Sequence, residues 1–188
     1  MEFLQQVLGI GRKRAEELTK KGVRNIEDLE KKEIYETLTD EIKLFLKLKP
    51  LRSIPHDLIA DMEKKFKTLH PLEITGSYRR NKPFSRDLDV VMRVRSKKEV
   101  VEFIKQINGQ IYNDGEKKMS LFFPWKGNYY KMDIFITNKD EYEAIMLYST
   151  GSKENNIRMR AKAKSQGLLL NQYGLFKKGE KINLKTEK

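Results

Sequence analysis

Apolar residues recur at intervals of three and four between residues 56 and 69, with Leu58, Ile59, Met62, Phe66 and Leu69 on one stripe, and this spacing predicts a helix packed on a core. After residue 72 the pattern changes. Short runs rich in β-branched and aromatic residues at 72–75, 87–94, 110–113, 117–123 and 129–136 predict strands, with a helix over 97–107 and a hairpin turn at Trp125-Lys126-Gly127-Asn128. The first fifty residues are helical in pattern. Phe3–Val7 and Arg12–Leu18 flank Leu8-Gly9-Ile10-Gly11, a helix-hairpin-helix arrangement in which two glycines permit a tight turn and close approach of a ligand. Segments 25–29 and 39–44 predict further capped helices. Two prolines, Pro50 and Pro55, mark 49–55 as a hinge, because helix does not run easily through proline. The apolar run 167–176 predicts packed strand in a folded final lobe. These elements imply an α+β chain whose mixed sheet carries helices on one side.

Chemistry enters with three aspartates. Asp87 and Asp89 stand two apart in a predicted strand, so both carboxylates project from one face. Asp133, in the later run Lys131-Met132-Asp133-Ile134-Phe135, supplies a third if the two strands pair. Oxygen ligands suit Mg²⁺, and paired divalent ions can activate a hydroxyl and neutralise a leaving phosphate oxygen during in-line displacement. Gly76-Ser77 follows the strand at 72–75, where backbone N–H groups and the Ser77 hydroxyl can face a phosphate with Arg79 and Arg80 close by. A lone Asp-x-Asp is a common surface feature. The ordered set of Gly-Ser, two arginines, Asp-x-Asp and a later strand aspartate points instead to nucleotidyl transfer.

Composition narrows the partners. Thirty-nine Lys and Arg against 27 Asp and Glu give a net charge of +12, which favours a polyanion, nucleic acid before an anionic membrane surface. The segment 151–188 alone holds ten basic residues against three acidic, interleaved with Tyr173 and Phe176. With no cysteine, disulfides and thiolate-metal sites are excluded. No apolar stretch reaches the length of a membrane span, and the start has no signal-peptide pattern, so an intracellular protein, nuclear or cytoplasmic, is expected. His56, His70 and Trp125 are read as structural, as are Met119, Phe122 and Phe123.

Gly76-Ser77-Tyr78-Arg79-Arg80, Asp87-Leu88-Asp89, Lys131-Met132-Asp133-Ile134, Tyr148-Ser149-Thr150-Gly151-Ser152, Asn155-Asn156, Met159-Arg160-Ala161 and Asn171-Gln172-Tyr173 occur in the order and near the spacings of the family X DNA polymerases. Over essentially its whole length the chain resembles that polymerase beta-like group. The resemblance implies a helix-hairpin-helix fingers module at 1–51, a nucleotidyltransferase palm with a mixed sheet at 52–146 and a small α/β nucleotide-selecting thumb at 147–188. It implies that Asp87, Asp89 and Asp133 bind two Mg²⁺ ions, for which Mn²⁺ can substitute, with Asp133 beside the primer 3′-hydroxyl. Ser77, Arg80 and Arg86 are assigned to the triphosphate, Tyr148 and Gly151 to the sugar, and Asn156 to the minor-groove edge of the incoming base. Gly9, Ile10, Gly11, Lys131, Arg160 and Tyr173 are assigned to DNA, and the backbone at Gln5, Val7 and Ile10 to a monovalent cation shared with a primer phosphate. Primer-template or gapped duplex DNA and deoxynucleoside triphosphates are the partners implied, with a monomer expected.

The chain also departs from the family pattern. No counterpart of the lyase domain precedes Phe3, so no lyase activity is expected. Arg86 replaces a glycine, Ser53 an arginine, Ser149 an aromatic residue and Lys153 an aspartate. Phe135 and Gln172 stand where relatives carry a pairing Arg and Glu, and the chain stops at Thr186-Glu187-Lys188, where relatives continue into a last helix. Two rival functions stay open: template-independent nucleotidyl transfer, and a DNA-binding scaffold with a decayed palm.

Overall fold

A computed structural model describes residues 3–182; the expected thumb beyond residue 182 and the chain end at Thr186-Glu187-Lys188 lie outside the described residues. The chain divides into two compact units, Met1–Pro50 and Leu51–Lys188.

In the first unit Leu4, Val7, Ile10, Ala15, Leu18, Leu29, Ile42 and Leu46 are buried together. The segment before the hairpin is a single 3-10 turn, Leu4–Gln6, where the sequence pattern predicts a helix; a run this short cannot repay helix nucleation. Helix α1 (Arg12–Lys20) begins after Gly11. Segment 25–29 likewise forms only a 3-10 turn, Glu27–Glu30, because Asn25 and Asp28 turn their side chains onto local backbone. The Asp28 N–H donates to Asn25 Oδ1 at 2.9 Å, and Asp28 Oδ2 accepts from the Arg24 N–H at 2.7 Å. A one-turn helix α2 (Lys32–Tyr35) precedes α3 (Asp40–Leu48), whose first turn is capped as predicted: Thr39 Oγ1 accepts from the Ile42 N–H.

The second unit is built on a five-stranded mixed sheet of β2 (Glu73–Ile74), β4 (Leu88–Arg93), β7 (Asn128–Thr137), β6 (Lys118–Trp125) and β5 (Gln110–Asp114), in that spatial order. All neighbours are antiparallel except β4 and β7, which run parallel. A small ribbon pairs β1 (Ile54–Pro55) with β3 (Phe84–Ser85). Helices α4 (His56–Leu69) and α6 (Lys97–Gln106) cover one face of the large sheet. There Ile59, Met62 and Phe66 meet Val100, Phe103 and Ile104 over Leu88, Val90, Met92, Met132 and Ile134, and the Phe66 ring packs edge-on against Phe103, Phe123 and Trp125. These burials confirm the apolar stripe read from 56–69, with Leu58 and Leu69 half-buried at its margins.

Helices are not confined to that side. Helix α7 (Tyr142–Thr150) packs Ile145 and Met146 against Val91 on the opposite face, with Phe135 and Tyr148 alongside. Val90-Val91-Met92 is apolar on both faces, and such a strand needs cover on both. Beyond α7, α8 (Lys153–Ser165) leads to an antiparallel meander of β8 (Leu168–Asn171), β9 (Gly174–Lys177) and β10 (Glu180–Ile182), which accounts for the apolar run 167–176. Among the described residues no helix is long and apolar enough to cross a membrane.

Candidate active site

The α7 face of the sheet carries the acids at one end. The parallel register sets Asp89 directly beside Asp133, and Asp87 lies two residues before Asp89 on the same side. Strand β6 completes the row, because its antiparallel register puts Ser120 opposite Asp133. The Ser120 hydroxyl donates to Asp133 Oδ1 at 2.6 Å, and Lys118 Nζ lies 2.9 Å from Asp133 Oδ2. Lys131 Nζ stands 3.7 Å from one oxygen each of Asp87 and Asp133.

Burial sets the electrostatics. It pushes the Asp87 carboxyl above the usual range, against the pull of Lys131. The Asp89 carboxyl rises to about 7, through burial first and then through the charges of Asp87 and Asp133. Asp87 and Asp89 are thus poorly solvated, and two lysines stand beside Asp87 and Asp133 as counter-charges.

Among the described residues, no three His, Cys, Asp or Glu side chains stand close enough together to enclose an ion as they are. The donor set nevertheless fits a hard divalent cation: it is all oxygen, it comes from adjacent strands, and its carboxylates already attract ammonium groups.

The approach of α5 (Gly76–Arg79) to these acids explains the Gly-Ser pair. Thr75 is tied to β4 by its N–H and hydroxyl, both donating to the Asp89 carbonyl at 2.7 and 3.2 Å. Gly76 then takes φ +59°, and a Cβ there would lie 2.2 Å from Asp89 Oδ2. Only glycine serves at that position. Ser77 Oγ donates to Ser85 Oγ at 2.7 Å, while the Tyr78 hydroxyl donates to Glu63 at 2.8 Å and its ring stacks on His56. Burial and then the Glu63 hydrogen bond push the Tyr78 phenol up to about 12. Arg79 donates to Thr150 Oγ1 at 2.8 Å, and Arg80 donates to the Thr150 carbonyl beside Gly151. The end of α7 is therefore joined to the same corner.

Further along, Asn156 Nδ2 donates to the Tyr148 carbonyl at 2.8 Å, and the Arg160 guanidinium lies 5.4 Å from the centre of the Tyr148 ring. These residues line a cleft with Ala144, Met159 and Asn171. Tyr173 is exposed on the β8–β9 turn, with Lys117 over its ring. It faces a cavity of about 140 Å³ shared with Lys118, Phe135, Tyr148 and Gln172. Arg86 is exposed between β3 and β4. Ser149, where an aromatic residue was expected, is buried with its hydroxyl on the Ile145 carbonyl.

Gly9, Ile10, Gly11, Gln5 and Val7 belong to the first unit. Gly9 has φ +86° and packs against Glu41 and Ile42, whereas a Cβ at Gly11 would meet open space. The Val7 carbonyl accepts from the Ile10 N–H at 3.2 Å.

Lys118 and Ser120 were absent from the sequence reading. Their signal was alternation: they interleave with Met119 and Leu121, so β6 presents them together on the acid face.

Residues 145–188 match a family model described as DNA polymerase beta thumb. Over 120 residues, 60% of this chain, the sequence is 38% identical to Repair DNA polymerase X of African swine fever virus (isolate Warthog/Namibia/Wart80/1980), of which 69% is covered. The counterpart from strain Badajoz 1971 Vero-adapted is 34% identical over 120 residues, with 60% of this chain and 69% of the viral protein covered. A bacterial protein, DNA polymerase/3'-5' exonuclease PolX of Bacillus subtilis (strain 168), is 26% identical over 102 residues, 53% of this chain and 18% of its own length.

Proposed function

The chain belongs to the family X DNA polymerases, and from that premise we propose that it extends a primer 3′-hydroxyl by template-directed addition of deoxynucleotides in gap-filling DNA repair. The observation that carries the reading is the parallel register that sets Asp89 beside Asp133, on the face shared with Asp87.

In this reading Asp87, Asp89 and Asp133 hold divalent cations. Mg²⁺, or Mn²⁺ in its place, supplies polarisation of the attacking hydroxyl and charge neutralisation at the leaving phosphate oxygen. The protein's own groups do the positioning. Ser77, held by Ser85, and Arg80, held at Thr150, face the triphosphate, with Arg86 at the rim. Lys131, already between Asp87 and Asp133, steadies the primer end. Tyr148 and the Gly151 backbone lie against the sugar, and Asn156 reads the minor-groove edge of the base from its anchor on the Tyr148 carbonyl. Arg160, over the Tyr148 ring, and Tyr173 contact DNA.

Residues 1–51 act as fingers, 52–146 as palm and 147–188 as thumb. The Gly9-Ile10-Gly11 turn approaches the duplex backbone, and the carbonyls of Gln5, Val7 and Ile10 share a monovalent cation with a primer phosphate. The open space over Gly11 supports such an approach.

Single-turnover incorporation of each nucleotide opposite each template base, on gapped DNA with Mg²⁺, tests this function. Template-dependent incorporation that Asp133→Ala reduces by about a thousandfold or more is expected. Equal rates in both proteins would overturn the mechanism, and incorporation blind to the template would make the enzyme a terminal transferase.

A further inference from the structure

We infer that Lys118 is a built-in counter-cation of Asp133, which holds that carboxylate in place and must withdraw before a divalent cation binds. The inference rests on the reading of the three aspartates as the cation site.

Both carboxylate oxygens of Asp133 are engaged by the chain itself: Ser120 Oγ at 2.6 Å on Oδ1 and Lys118 Nζ at 2.9 Å on Oδ2. Asp133 is only 5% exposed, so an incoming cation competes with these donors for its oxygens. The donors differ in freedom. Ser120 is buried in β6, and the Lys131 side chain is 16% exposed and shared between Asp87 and Asp133. Lys118, at 42% side-chain exposure, is the one with a solvated way out, and an arriving cation replaces the charge that its departure takes from the buried Asp133.

The structure also supplies the place it would go. Lys118 pairs across the ladder with Phe135, its ammonium lies 5.3 Å from the centre of that ring, and both line the cavity of about 140 Å³. Withdrawal gives up the carboxylate, keeps the aromatic face that the ammonium already lies over and leaves the charge partly solvated. Tyr148 of α7 and Gln172 and Tyr173 of the β8–β9 turn line the same cavity. Lys118 is therefore a positioning residue: it acts through Asp133.

Mn²⁺ titration followed by electron paramagnetic resonance, with neither nucleotide nor DNA present, reads this directly. Lys118→Met should bind Mn²⁺ about tenfold more tightly than wild type, since a competing charge a few ångströms away is gone. Lys118→Arg should stay within about threefold of wild type because its charge remains. Lys117→Met, which removes a neighbouring charge paired with Glu141 at 2.7 Å, should do the same and so excludes a general electrostatic cause. In EDTA, Lys118→Met should melt below wild type and gain more from saturating Mn²⁺. Lys118→Gln is the substitute if the methionine variant does not fold cooperatively. Unchanged or weaker Mn²⁺ binding in a cooperatively folded Lys118→Met or Lys118→Gln protein overturns the inference alone. Unchanged binding in Asp133→Ala overturns the cation-site reading and the inference with it.

Discussion

The two faces of the five-stranded sheet differ in how far they are complete. On one, α4 and α6 close an apolar core in which Phe66, Phe103 and Phe123 are fully buried. On the other, α7 covers Val91 and Phe135 but leaves the strand ends to three carboxylates and two lysines. Alternate residues of the same strands, Leu88 against Asp89 and Met132 against Asp133, serve opposite purposes. One face is arranged for stability, while the other keeps crowded carboxylates that two lysines only partly offset.

The sharpest break of this contrast comes from Asp89→Ala. Primer extension should fall by about a thousandfold or more, whereas the melting temperature in EDTA at pH 8 should hold or rise, because a crowded carboxylate is removed. A large drop in that melting temperature would show that the acid face stabilises the fold. Phe66→Ala reverses the pattern. It should cost about 3–5 kcal/mol in denaturant unfolding, while extension per folded molecule changes by less than about tenfold.

Gly76→Ala tests where the faces are joined. Its Cβ would displace Asp89 Oδ2, and the positive φ adds strain, so a loss of about 1–3 kcal/mol in stability should accompany weaker Mn²⁺ binding. Unaltered Mn²⁺ binding would detach α5 from the acids. The smallest effect concerns pH. Between the ordinary carboxylate value and about 7 the folded chain keeps a proton on Asp89 that the unfolded chain has lost. Stability in EDTA is therefore fully supported below that window and declines as pH rises through it, and Asp89→Asn should flatten the slope. Urea midpoints measured from pH 4 to 8 check both.

Much of this arrangement is legible in the sequence, since alternation and turn residues specify β6, β7 and their Trp125–Asn128 turn, and the 3.6-residue stripe specifies α4. Asp87 and Asp89 are visible as a pair because strand period alone puts them on one side. The Asp89–Asp133 register is not visible in the same way, because it arises from pairing across 43 residues of intervening chain. Cover on both faces had a signal in the unbroken Val90-Val91-Met92 run, which a one-sided sheet does not need. Lys118 carried none beyond its place in the alternation, since a lysine at a strand end ordinarily reads as solvated. The turns at 4–6 and 27–30 went against local pattern because short segments and backbone-seeking Asn and Asp side chains favour tighter geometry.

The parallel seam between β4 and β7 gives the molecule a late-assembling centre. The β6–β7 hairpin can form locally and brings Asp133, Lys131, Lys118 and Ser120 as one package, whereas Asp87 and Asp89 arrive on a strand distant in sequence. Docking of the hairpin onto β4 is the event that brings the three acids together, so under the proposed function tight Mn²⁺ uptake during refolding would report completion of the sheet.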